Sequence, residues 1–213
     1  MSEDSRFKEL IVRDLEGTQE LTVEQLNKLF CHYERLKHWN RVVNLTSVLD
    51  LETGVTRHYS ESLLVSLVLP CAPTTVADIG SGAGFPGLPL AVLRPDCHFT
   101  LVESNRRKAV FLREATRGFP NVSIVSGRAE DLDETFGWIV SRAVRPREVL
   151  RLAPRVSCHF ALLVGGREWE RLESIREFVW DSPLRVPWSR ESFLVCGHYV
   201  PRETESSQVP RGT

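Results

Sequence analysis

The stretch Val76-Ala77-Asp78-Ile79-Gly80-Ser81-Gly82-Ala83-Gly84-Phe85-Pro86-Gly87 constrains the fold more than any other part of the chain, because a short buried strand runs into a glycine loop and then into a helix start. Glycine permits positive φ and a close approach of backbone to ligand. Pro86 suits a first helical turn, where its missing N–H costs nothing. Such a loop faces a ligand at the carboxyl end of its strand.

The identity of that ligand turns on nearby carboxylates. Gly82 to Gly87 matches G-x-G-x-x-G, a pattern that by itself suggests a dinucleotide only weakly. Asp78 is expected close to the ligand, where it would repel a pyrophosphate and favour a cation such as the sulfonium or ammonium of S-adenosylmethionine; the alternative is that it only caps the loop. Glu103 ends the next strand, ~20 residues beyond the loop, where a carboxylate accepts from ribose hydroxyls; its alternative is a charge at a helix start. A third strand leads into Ser126-Gly127-Arg128-Ala129-Glu130, placed to flank an adenine, and a fourth leads to Arg142.

With 213 residues, net charge −1 and 42% hydrophobic residues, the chain suffices for one α/β unit and a small extension. The first residues show no secretory pattern, and the longest apolar run, near Leu63 to Leu69, is too short to span a membrane. Cys31, Cys71, Cys97, Cys158 and Cys196 form no C-x-x-C pair, so neither a disulfide framework nor a metal site is expected, and the cytoplasm is the natural compartment. Thr22 and Gln25 form a capping box ahead of Leu26, Leu29, Phe30, Tyr33 and Leu36, predicting a helix to about Trp39. A second helix is predicted over Glu52 to Leu67. Strands at 75–79, 98–102, 122–125, 138–141, 159–165 and about 193–199 then alternate with helices from Pro86 to Arg94, Asn105 to Arg117, Arg147 to Arg155 and Glu168 to Val179. This alternation predicts an α/β fold with a doubly wound, mostly parallel sheet behind an N-terminal helical extension. The expected organisation is an extension over 1–70, a ligand-binding domain over 71–201, and a disordered tail over 202–213.

Several motifs together resemble one family. Trp39-Asn40-Arg41-Val42-Val43-Asn44-Leu45-Thr46, Arg57-His58, Ser62-Leu63, Asp78 to Gly87, Phe111-Leu112-Arg113, Gly127-Arg128-Ala129-Glu130 and Ser141-Arg142-Ala143 are similar to the RsmG (GidB) family of bacterial small-subunit rRNA methyltransferases. The resemblance, from about Leu26 to Val144, implies a Rossmann-like class I methyltransferase fold and methyl transfer from S-adenosylmethionine to N7 of one guanine in 16S rRNA, releasing S-adenosylhomocysteine. It carries the cofactor site onto Gly80, Phe85, Ala129, Glu130 and Arg142, with Glu103 where the family more often has Asp; Asp78, Gly82 and Gly84 complete the expected site. Val164 stands where the family usually has lysine, which puts one RNA or substrate contact in doubt, and Arg145 where a small residue is usual.

Guanine N7 is nucleophilic in the neutral base, so no general base is needed and orientation does most of the work. Asn40, Asn44, Arg57, His58 and Arg142 are the candidates to hold the guanine; otherwise Asn44-Leu45-Thr46 is a self-capped turn and His58 a buried core histidine. Arg106, Arg107, Lys108, Arg113 and Arg117, with Arg142, Arg145, Arg147, Arg151 and Arg155, suggest a basic rim for RNA, within a small subunit or an assembly intermediate, and the protein is expected to act as a monomer. Two other functions are weighed: an NAD-dependent oxidoreductase, and an assembly factor that binds S-adenosylmethionine without efficient catalysis.

Overall fold

The strand residues alternate between two apolar faces, and the sheet they build is covered on both sides. A computed structural model describes residues 1–48 and 50–200, so the tail expected at 202–213 lies outside the described residues. β1 (Thr75–Ile79), β2 (His98–Val102), β3 (Val122–Val125), β4 (Trp138–Arg142) and β5 (His159–Gly165) are parallel neighbours in the order β3-β2-β1-β4-β5. β8 (Ser192–Tyr199) adds antiparallel to β5, and β6 (Phe178–Trp180) and β7 (Leu184–Arg185) pair antiparallel with β8. The order reverses between β1 and β4, which leaves a crevice at their carboxyl ends where ligands bind in such sheets.

Val76, Val140, Ala161 and Leu163 point to one face, where they share a core with Phe7, Leu29, Tyr59, Leu88 and Phe111. That core unites α1 (Glu3–Asp14), α2 (Val23–Trp39), α5 (Gly87–Leu93) and α6 (Arg106–Ala115). Ala77, Ile79, Ile139, Phe160 and Leu162 point the other way, toward Val149, Val156 and Leu172 of α7 (Pro146–Leu150), α8 (Ala153–Val156) and α9 (Gly166–Leu172). Asp78 shares the parity of Val76, so a carboxylate enters a largely apolar face.

The elements depart from expectation in four places. α1 is an addition: Phe7, Leu10 and Ile11 are a short stripe in a polar segment, enough to dock on α2 but too brief to stand out in the sequence. The helix expected over Glu52 to Leu67 is a continuous helical run interrupted in register, with α3 (Leu51–Gly54), a π-helical turn (Val55–Ser60), α4 (Glu61–Leu64) and a 3₁₀ turn (Val65–Leu67). The single helix expected over 147–155 is divided into α7 and α8, with Pro154 near the start of the second. The helix expected to reach Val179 stops at Leu172, and Phe178–Trp180 pairs with β8 as β6, where Phe178 and Trp180 pack on Phe160.

Candidate active site

Three left-handed glycines carry β1 into α5: Gly80 (φ 73°), Gly82 (φ 60°) and Gly84 (φ 97°). At Gly80 space is limiting as well, since a Cβ there would overlap Val144 Cγ2. Asp78 fastens this loop from below. Its Oδ2 accepts from Ser81 Oγ at 2.6 Å and from Gly87 N–H at 2.9 Å, while Oδ1 is buried without a partner. Burial, reinforced by the charge of Glu103, raises its carboxyl to about 7 despite those two donors. The expectation that Asp78 faces a cationic ligand is therefore corrected: the side chain is fully buried on the α5 face and caps the loop.

Glu103 clasps the same loop from β2. Its Oε2 accepts from Gly82 N–H at 2.9 Å and its Oε1 from Asn105 N–H at 2.7 Å. A carboxylate oxygen has two lone pairs, so each retains one for a ligand hydroxyl.

At the carboxyl ends of β1, β2 and β4 lies a cavity of about 670 Å³. Gly80, Ala129 and Glu130 line it, as do Val102 and Ser104 on either side of Glu103. Asp131 and Leu132 N–H close onto Arg128 and Ala129 carbonyls, whereas Ala129 and Glu130 N–H have no partner among the described residues. Arg106 and Arg128 stand on the lining against Glu130, Asp131 and Glu148. Mixed charge with a carboxylate excess suits S-adenosylmethionine, which carries a carboxylate, an ammonium and a sulfonium, better than a doubly negative pyrophosphate. This lining, and not Asp78, distinguishes the two ligands.

Gly82, Gly84, Phe85, Glu103 and Arg142 are not on that lining; Gly84, Phe85 and Arg142 meet the N-terminal helices instead. His32 of α2, buried, donates from Nε2 to Ala83 O (3.0 Å) and accepts at Nδ1 from Tyr59 O–H (2.8 Å), which docks the loop on the helical face. Phe85 stacks on His58, with ring centroids 4.9 Å apart and planes 18° apart. Arg142 donates to His58 Nδ1 at 2.8 Å and pairs with Glu61 at 3.5 Å, with only 14% of its side chain exposed. Since Arg can only donate, the His58 proton sits on Nε2, directed at Thr46 Oγ1 2.8 Å away. Burial, then Arg142 and Arg57, pull His58 down to about 3, so it is neutral at physiological pH. Burial also raises the Glu61 carboxyl and lowers the Arg142 guanidinium.

The π turn that presents Arg57 and His58 is pinned from α1: Asp14 Oδ2 accepts from Thr56 Oγ1 and Ser60 Oγ, each at 2.9 Å. π turns recur at functional sites because the inserted residue redirects its neighbours. Asn40 plays a different part from the one expected of it. Its side chain accepts from Leu45 N–H and Thr46 N–H and donates to Thr46 O, so it shapes the loop that carries Thr46 and is not free to grip a base. Asn44 and Arg57 are exposed.

The basic rim is also redrawn. Arg57, Arg106, Arg107, Arg128, Arg145 and Arg147 are exposed, and Arg106 and Arg128 line the cavity. Arg142 is withdrawn into the His58 cluster, Arg117 pairs with Glu114 at the far end of α6, and Arg155 is committed to backbone carbonyls. Val164 is buried in the core on the α7–α9 side.

A 3-2-1-4-5 parallel sheet with an antiparallel edge and a glycine-loop cavity at the switch point is the fold of the class I methyltransferases. Among solved structures, a putative RNA methyltransferase from Pyrococcus horikoshii superposes with TM-score 0.55 over 92% of this chain and 100% of its own at 16% identity. A SAM dependent methyltransferase from Aquifex aeolicus gives TM-score 0.55 over 70% and 93% at 18% identity. The chain belongs to the rRNA small subunit methyltransferase G family, whose model matches residues 25–155. Ribosomal RNA small subunit methyltransferase G 1 of Syntrophobacter fumaroxidans is 36% identical over 193 residues, covering 84% of this chain and 86% of that relative. No helix among the described residues is long and apolar enough to cross a membrane.

Proposed function

We propose that the protein transfers a methyl group from S-adenosylmethionine to N7 of a guanine in 16S rRNA, acting in the cytoplasm as a monomer on the small subunit or an assembly intermediate. The observation that carries this reading is the pairing of a cavity and a packed side-chain cluster across one loop. The mixed-charge cavity lies on one side of Gly80, and the Phe85–His58–Arg142 cluster lies on the other.

When bound, S-adenosylmethionine supplies an electrophilic methyl on sulfur, and the acceptor nitrogen needs only its in-plane lone pair. The residues present suit a reaction without proton removal, because His58 is neutral with both ring nitrogens committed. Ala129 and Glu130 N–H, Glu103 and the Gly80 backbone bind the donor; Gly82 and Gly84 let the loop pass close by; Phe85, His58 and Arg142 orient the acceptor, with Asn44 and Arg57 at the mouth. Alignment of this kind is worth several kcal/mol of barrier. Exposed arginines, Arg106 and Arg128 at the cavity among them, supply phosphate contacts. The test is incubation with radiolabelled S-adenosylmethionine and small subunits from a strain lacking the modification, followed by mapping of the label. Label at one guanine N7, lost in Arg142→Ala and kept in Cys158→Ser, is expected. Label elsewhere, or none with a folded protein, overturns the reading.

A further inference from the structure

The 3₁₀ turn Ala129–Asp131 forms one wall of the cavity, yet no side chain caps its start. It is held from outside the cavity by Arg155, at the end of α8. One terminal nitrogen of the guanidinium donates to Leu132 O; the other donates to Glu130 O at 2.7 Å and reaches Ala129 O at 3.5 Å. A planar fork with fixed donor directions gathers three neighbouring carbonyls in a way that a point charge cannot. In a helical turn the N–H groups point opposite to the carbonyls. Ala129 O shares its peptide with Glu130 N–H, so Arg155 holds that donor directly and, through the turn it anchors, the preceding Ala129 N–H; neither N–H has a partner among the described residues. Arg155 itself does not line the cavity, while Leu152 from the same segment does.

We infer that Arg155 is a positioning residue for the adenine end of the methyl donor, acting through the Ala129–Asp131 turn, an inference that rests on the proposed donor occupying this cavity. Two adjacent N–H donors at a cavity wall match the ring-nitrogen acceptors along a purine edge. The test is calorimetric titration of wild type, Arg155→Ala and Arg155→Lys with S-adenosylhomocysteine, and with adenosine by competition. Affinity for unmodified small subunits and the KM-against-kcat split are measured alongside. Arg155→Ala is expected to weaken S-adenosylhomocysteine and adenosine alike, by about ten-fold, the loss of a charge-assisted hydrogen bond. Arg155→Lys recovers part of it. KM for the donor rises while kcat at saturating donor and small-subunit affinity hold. Unchanged S-adenosylhomocysteine affinity in Arg155→Ala overturns the inference, as does weakening that spares adenosine or that extends equally to the small subunit. If Arg155→Ala does not fold, Arg155→Lys decides, and wild-type affinity in that variant overturns the inference. Failure of wild type to bind S-adenosylhomocysteine at all removes the proposed function, and this inference with it.

Discussion

Replacing Asp78 with Asn tests whether a buried carboxylate fastens the glycine loop at a cost in stability. Burial raises the carboxyl from 3.8 to about 7 in the folded protein. A carboxyl whose folded pKa lies above its unfolded one holds its proton more tightly when folded, so stability falls as pH rises from about 4, and the loss is complete near pH 7. At 1.36 kcal/mol per unit, that interval corresponds to roughly 4 kcal/mol. The amide introduced by Asp78→Asn does not titrate, and its carbonyl can accept from Ser81 and Gly87 as Oδ2 does. Its NH₂ group then falls at the unpartnered Oδ1 position, a constant penalty of about 1–3 kcal/mol. The stability of Asp78→Asn minus that of wild type is therefore expected to climb by up to roughly 4 kcal/mol between about pH 4 and 7 and to level off above. His32 and His58, held down to about 4 and about 3 in the fold, make both proteins lose stability below about 6.5. That opposing trend is common to the pair and cancels in the difference. Urea unfolding of the two proteins at matched pH values measures it. A flat or falling difference would refute the account of Asp78.

Arg142→Ala leaves Glu61 buried without its cation and should destabilise by about 3–5 kcal/mol in urea unfolding; Glu61→Gln in the same background should recover part of that loss. Gly80→Ala forces a left-handed alanine against Val144, with a strain of about 1–2 kcal/mol and a sharp fall in S-adenosylhomocysteine affinity by calorimetry; adding Val144→Ala should restore some binding. Asn40→Ala removes three hydrogen bonds from the Thr46 loop and should lower kcat with little change in donor affinity, as seen in single-turnover methylation. Ala143→Gly, at φ 59°, should raise thermal stability by up to about 1 kcal/mol equivalent.

The sheet was legible because its strands are short apolar runs between turn signals, and strands such as β1 and β2 lie where Val76-Ala77 and Phe99-Thr100-Leu101 require. Residues whose work depends on partners far along the chain were not. Nothing local to Asp78 tells whether it turns up to a ligand or down to Gly87. Nothing near Arg155 announces three carbonyls about 25 residues upstream. The π turn leaves no trace in the sequence because its apolar spacing matches an ordinary helix, and the hydroxyls that pin it reach Asp14, in a helix whose own stripe is short. The glycines of the loop were readable because backbone conformation leaves a mark on composition, whereas Phe85 entered only through the family resemblance.

The left-handed alanine at the end of β4 divides what an ordinary strand would keep together. In an unbroken strand, positions 142 and 144 would emerge on the same side; with Ala143 turned over, Arg142 goes to His58 and Val144 to the wall above Gly80. One residue thus serves as a partition between the cavity and the His58 cluster. A change at this bend moves Arg142 and Val144 together, so the cavity wall cannot be reshaped here without the His58 cluster registering it.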